Sequence, residues 1–344
     1  LINYDNISCI RNSYYHNSCQ ECVDICPEDL FLVRNNRIAF DSSSCTLCSA
    51  CVGSCPTESI AIDDFDPNLY ALQFKFREEK TLSCRTNSPC LSAFSSETLL
   101  SMVLNGDSSI ECDLTACSEC EIGNLKETII KNIDSANISL SELGLESKLT
   151  VVENLELDSK RGIFSKIYSK ISKDLKISEA DEFRIASILR KADLEKKSFP
   201  TKQKVLVELL RERVEEFENA ELSNHIYSQS IEHDKCTNCG DCMQFCPTDA
   251  LFPSSDKLSI FLNPSKCIEC GNCNHICKTD AIKRDDKSSV IDVALRKSNR
   301  LVNFTMRTCT ECKMPFIDKG EEICDRCIDF KTNFNDMFTL AKDV

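Results

Sequence analysis

The 344 residues contain no tryptophan, only 8 glycines and 9 prolines, and four histidines. Among the glycines there is no phosphate-cradling Gly-rich loop, which argues against the common nucleotide sites. The histidines, His16, His225, His233 and His275, leave few candidates for acid–base chemistry, and no Ser/His/Asp arrangement is legible. No apolar run approaches the ~20 residues that a membrane span requires. Positive charge is in deficit: Lys plus Arg of 41 against Asp plus Glu of 55 gives a net charge of −14. That balance argues against a nucleic-acid scaffold and against an anionic membrane surface as partner.

Cysteine is what the chain has in excess, with 25 residues. Secreted scaffolds stapled by disulfides are short, whereas this chain is long enough for several domains, rich in Lys, Glu and Ile, and opens on no signal-peptide pattern. An odd count also leaves one thiol unpaired. The expectation is a reducing, cytoplasmic setting in which thiolates bind metal.

The spacing of the cysteines fits that expectation. One pattern occurs four times, as two pairs. Cys236, Cys239, Cys242 and Cys246 followed by Pro247, and Cys267, Cys270, Cys273 and Cys277, both read C-x2-C-x2-C-x3-C. Cys45, Cys48, Cys51 and Cys55 with Pro56 repeat it in full. The remaining copy has Cys19, Cys22 and Cys26, with His16 where the first cysteine belongs. Zinc also takes C-x2-C pairs, but a tetrahedral site gains nothing from a third close cysteine. Short apolar stretches follow each copy (Leu30 to Val33, Ile60 to Ile62, Ala250 to Phe252, Ala281 to Ile282), as suits a strand after a cysteine turn.

Over residues 9–62 and 233–284 the chain resembles the bacterial two-cluster ferredoxin family, whose signature is this run. In that family three cysteines of one run and the last of its partner hold a 4Fe-4S cluster. The resemblance implies sets Cys236, Cys239, Cys242, Cys277 and Cys267, Cys270, Cys273, Cys246 in the second pair. In the first it implies Cys45, Cys48, Cys51, Cys26, and an incomplete Cys19, Cys22, Cys55. His16 is in register to complete the last set and would raise its potential, as histidine does in Rieske centres. Cys9 competes for the place, and a three-iron cluster without a fourth ligand is the other alternative.

Residues 80–155 suggest strand, helix, strand, helix, strand, at Thr81 to Cys84, Ser96 to Leu104, Ile110 to Leu114, Leu125 to Ile133 and Leu149 to Val152, hence a small parallel sheet. Cys84 falls at the end of the first strand, and Cys117 and Cys120 just past the second, where sites form in open parallel sheets. A two-iron cluster, zinc or a redox dithiol fits them. Cys90 and Cys112 read more readily as small buried hydrophobes. The cysteine and strand order is similar to the delta subunit of methyl-viologen-reducing hydrogenase. Apolar spacing at Ile163, Ile167, Ile171 and at Leu206, Leu209, Leu210, Val214, Phe217 suggests a solvated helical connector over 156–230, broken near Pro200. Cys309, Cys312, Cys324 and Cys327 form two knuckles like a zinc ribbon, with a rubredoxin-like iron site as the alternative.

The expected architecture is α+β: two-cluster modules at 1–66 and 231–290 flanking an α/β domain at 80–155, with the connector at 156–230 and a metal ribbon at 300–330. The resemblance implies a polyferredoxin with about four 4Fe-4S clusters, passing electrons between redox enzymes or subunits. A partner of formate dehydrogenase or hydrogenase type, docking through a basic patch, would suit so acidic a chain. The alternative function is an accessory or assembly protein of such a metalloenzyme, with structural clusters.

Overall fold

The computed structural model describes residues 2–155, 175–190 and 199–333. Ile163, Ile167 and Ile171, where helical spacing begins in the connector, lie outside these residues.

Strands Thr81–Ser83, Ile110–Asp113 and Leu149–Val152 form a parallel sheet with Ile110–Asp113 in the middle. Helices Ser96–Gly106 and Lys126–Glu142 are its crossovers, which parallel pairing requires. Ser95 starts the first helix by accepting a hydrogen bond from the Thr98 N–H at 3.3 Å, and Asp107 ends it in the left-handed conformation at φ 45°. Leu99, Leu100, Met102 and Val103 pack with Leu82, Ile110 and Ile129 in the largest core. Cys112 is buried in this core, as a small apolar side chain on the covered face of its strand.

Where it is described, the 156–230 stretch differs from a solvated connector. Pro200 precedes helix Thr201–Glu212, whose Val205, Leu206, Leu209 and Leu210 join the same core as the sheet. Burial of each such side chain contributes ~1.5–3 kcal/mol, enough to fix the helix against the sheet domain. Its charges do not all face water either. Lys202 and Glu208 are buried, with Lys202 3.9 Å from Glu97 and Glu208 paired with Arg296.

The two cysteine-rich regions share one pairing pattern. Ile2–Tyr4 pairs antiparallel with Ile60–Ile62, and Gln229–Ile231 with Ile282–Arg284. In each case a strand before the first run meets the strand after the second, which brings the two runs together. Between them lie hairpins, Phe31–Arg34 with Arg37–Phe40 and Leu251–Pro253 with Ser259–Leu262. Asn35 and Asn36, at φ 49° and 59°, turn the first hairpin in the left-handed pair that matches strand twist. Asn299–Asn303 adds a third strand to the second hairpin. A short hairpin, Met306–Thr308 with Pro315–Ile317, and helix Asp325–Asn333 make the tail. With small antiparallel sheets beside a parallel one, the fold is α+β. No helix among the described residues is long and apolar enough to cross a membrane.

Candidate metal centres

The complete cysteine runs share one backbone conformation. The residues on either side of the second cysteine are left-handed: Leu47 and Ser49 (φ 56° and 64°), Asn238 and Gly240 (54° and 83°), Glu269 and Gly271 (55° and 71°). The third residue after each last cysteine is left-handed as well, at Asp29, Glu58, Asp249 and Asp280. These turns aim backbone N–H groups at sulfur: Ser59 donates to Cys55 Sγ at 3.3 Å, Ala250 to Cys246 Sγ and Ala281 to Cys277 Sγ, both at 3.2 Å. Such bonds favour the thiolate. The run that begins with His16 departs from the pattern, with Gln20 at φ −131°.

Thiols gather across runs. Cys26 lines one small cavity with Cys45, Cys48 and Cys51, and Cys277 lines another with Cys236, Cys239 and Cys242. Cys246 is an electrostatic neighbour of Cys267, Cys270 and Cys273. In a fourth gathering Cys55 faces Cys19 and Cys22, and the remaining thiol is Cys9. His16, in register by sequence, is instead exposed, with its ring edge-on to Tyr14 and Tyr15 at 5.6 and 5.4 Å. The pairing of Ile2–Tyr4 with Ile60–Ile62 explains the difference. It carries the buried Cys9, at the start of helix Ile10–Ser13, back toward Cys55, and Tyr4 stands beside the same thiols.

The central domain assembles a fifth set. Cys84 follows the first strand and Cys117 and Cys120 follow the second, and Cys90 joins them from the intervening loop. Cys90, which read as a packing residue, accepts from Ser92 Oγ at 3.2 Å and faces this group, whereas Cys112 does not.

These sets call for positive charge. Burial first, and then the neighbouring thiols, push Cys22, Cys84 and Cys242 up to about 12 and Cys117 up to about 11, and burial takes Cys270 to about 11 against the Asn272 N–H, which lowers it. Sulfurs crowded together in this way without a cation are therefore poor thiolates, and a bound cationic core reverses that balance.

The tail differs in scale. All four Sγ atoms of Cys309, Cys312, Cys324 and Cys327 lie within 4.8 Å of one another, with Cys309–Cys327 at 3.8 Å and Cys312–Cys324 at 3.7 Å. Among the described residues no other such ligand set is so tight. Burial raises Cys309, but N–H groups of Cys324, Cys312 and Glu311 outweigh it and bring the thiol to about 6.

The other histidines have ordinary surroundings. His225 is buried against Ser139 Oγ, 2.8 Å from Nδ1, and His233 sits on the surface beside Asp234 and Phe304. His275 lies against Gly271 in a cysteine loop.

Known proteins add a family to this geometry. Residues 228–278 match the family described as 4Fe-4S dicluster domain. Over 47 residues the chain is 34% identical to a ferredoxin of Methanothermococcus thermolithotrophicus, an alignment covering 13% of this chain and 78% of that protein. No solved structure matches. Thiols exchanged between paired runs, a dicluster match over the second pair and a ferredoxin relative agree: the chain belongs to the ferredoxin family of iron-sulfur electron-transfer proteins.

Proposed function

We propose that the chain is a polyferredoxin with two two-cluster modules, holding about four 4Fe-4S clusters through the exchanged cysteine sets. The observation that carries this reading is the crossing of the fourth thiol, with Cys26 among Cys45, Cys48 and Cys51, and Cys277 among Cys236, Cys239 and Cys242. The same crossing at Cys246 and Cys55 extends it to the other two sets. Bound clusters supply one-electron redox chemistry. The protein supplies sulfur ligands, N–H bonds to Cys55, Cys246 and Cys277, and apolar walls such as Ile231, Ile260 and Ile282 that keep water away.

In the first set the fourth ligand is Cys9, and His16 stays in solvent. Cys84, Cys90, Cys117 and Cys120 hold a further metal centre. The tail takes a single tetrahedral ion: metal–sulfur bonds of about 2.3 Å put the edges of a tetrahedron at ~3.8 Å, the separation found for Cys309–Cys327 and Cys312–Cys324. Zinc is the proposed ion. The partner is a redox enzyme or complex that presents a basic patch to this acidic chain, whose net charge is −14.

The test is anaerobic loading of the full chain with iron and sulfide, with quantitation of both and an EPR-monitored reductive titration. Reversible low-potential signals at several clusters per chain are expected. Iron bound without sulfide would replace the polyferredoxin reading with one of mononuclear sites.

A further inference from the structure

The two modules meet through a pair of buried amides. Asn17 Oδ1 accepts the Cys19 N–H at 2.8 Å, and Asn17 Nδ2 donates to Asn272 Oδ1 at 2.6 Å. Asn272 lies between Cys270 and Cys273 and donates to the Phe245 carbonyl at 3.2 Å, one residue before Cys246. The two asparagines are 6% and 1% exposed, so neither amide has water as an alternative partner. Tyr14 meets the Phe245 ring edge-on at 5.4 Å. Cys19 and Cys270, one from each module, line the same cleft of about 710 Å³.

On its other side the first module meets the central domain. Helix Ala50–Ser54, which carries Cys51, backs onto Ser92 and Ala93, just after Cys90. Contact there is so close that a side chain at Gly53 would strike the Ser92 carbonyl. Cys48 and Cys90 are electrostatic neighbours across this joint. Within the modules Cys22 neighbours Cys51, and Cys242 neighbours Cys273. The sets therefore follow one order: the Cys236 set, the Cys267 set, the Cys19 set, the Cys45 set, the Cys84 set. The module that comes first in sequence stands in the middle.

We propose that these five sets form a single electron path, that Asn17 and Asn272 are the positioning residues joining its two modules, and that its ends are the exposed Cys239 and Cys120. The inference rests on the reading of the thiol sets as redox centres. Clusters held by these sets would pass one electron at a time from a reduced centre to its oxidised neighbour, with no bond or proton change, between a low-potential one-electron donor at one end and an acceptor at the other. Neutral amides suit the junction, since two anionic sets face each other there and a charged side chain would shift both. A hydrogen-bonded pair also fixes the register of the two loops, which an apolar contact does not.

Asn17→Asp and Asn272→Asp test this in the full chain, loaded anaerobically and titrated with dithionite under EPR. Each variant is expected to lower the midpoint potentials of the same two clusters, one in each module, with iron and sulfide content unchanged. A shift confined to one module at full content overturns the junction. A benzophenone-bearing phenylalanine at position 14 gives a second readout that needs no cluster. Photolysis is expected to capture the peptide containing Phe245, and capture elsewhere overturns the contact between modules. A chain that takes up no iron and sulfide overturns the redox reading, and the path with it, while the cross-link still reports whether the loops meet.

Discussion

Asp113, at the end of the middle strand, accepts from Ser83 Oγ at 2.6 Å and from Arg85 Nε at 2.9 Å, so both neighbours of Cys84 are tied to one carboxylate. Asp113 is 1% exposed, and Arg85 also donates to the Leu155 carbonyl at 3.0 Å. Removing one partner of a buried pair leaves the other charge uncompensated, at a cost of about 3 kcal/mol. Asp113→Asn is therefore expected to lower the stability of the full chain by that amount in urea titration. It should also release metal from the central set while the module clusters stay. Metal content that survives in the central set would show that Cys84 needs no such anchor.

Cys9→Ser and His16→Ala separate the two candidates for the first set. Loss of the Cys9 thiol is expected to leave three cysteines and convert that cluster to a three-iron form, visible by EPR after oxidation. His16→Ala should leave the spectrum and potentials of the protein as they were. The reverse outcome would return the ligand role to His16.

This contrast marks where the sequence was legible and where it was not. Spacing within a run is local information, so Cys45, Cys48 and Cys51 or Cys236, Cys239 and Cys242 could be grouped from sequence. The sheet strands were equally readable, because Leu82 and Cys84, Ile110 and Cys112, and Leu149 and Val151 alternate with polar residues. Cys9 comes to lie beside Cys19 and Cys22 through the pairing of Ile2–Tyr4 with Ile60–Ile62, a contact between distant segments that no spacing encodes. Cys90 joins the central set for the same kind of reason, held by the loop between strand and helix. The buried stripe of helix Thr201–Glu212 was visible as periodicity, but its many charges suggested solvent. Ion pairs to Glu97 and Arg296 let two of those charges be buried.

At Gly53 the helix that carries Cys51 packs tightly against the central domain. A Cβ there would strike the Ser92 carbonyl oxygen and lie 2.9 Å from the Ala93 carbonyl carbon. Both obstacles are backbone and cannot rotate away. Gly53→Ala is expected to cost ~1–3 kcal/mol, the usual penalty of overpacking, read as a lower urea midpoint at unchanged slope. An unchanged midpoint would mean that the two domains separate freely at this joint.

Glu97 gives a pH dependence with a definite sign. Burial alone raises its carboxyl, but Lys202, His225 and the Ser95 hydroxyl outweigh burial and bring it down to about 2. An acid whose folded value lies below its unfolded one stabilises the protein above the unfolded value, near 4.5, and loses that contribution as pH falls toward 2. Its side chain is 20% exposed, so little is lost to solvent screening. Glu97→Gln should lower stability at pH 7 by ~2–3 kcal/mol, and the gap to the unmodified chain should close as pH falls from about 5 to about 2. A gap that stays constant over that range would assign the effect to packing rather than charge.

The tail has almost no core of its own. Met306 and Met314 are 47% and 52% exposed, while Cys309 and Cys324 are the buried cysteines of the unit. Two buried thiols and a hairpin of two three-residue strands do not offset the entropy of ordering these residues, whereas a tetrahedral ion in a small zinc site contributes ~10–16 kcal/mol at neutral pH. Chelation of the full chain is therefore expected to raise amide exchange over Met306–Ile317 to the rate of unstructured peptide. The sheet core at Ile110–Asp113 should keep its protection, since nothing in it depends on the tail. Lys319 donates to the Asp234 carbonyl at 3.0 Å, so loosening should reach only the edge of the adjoining cysteine loop. If the hairpin kept its protection after verified metal loss, the four thiols would be packing residues and the ion incidental.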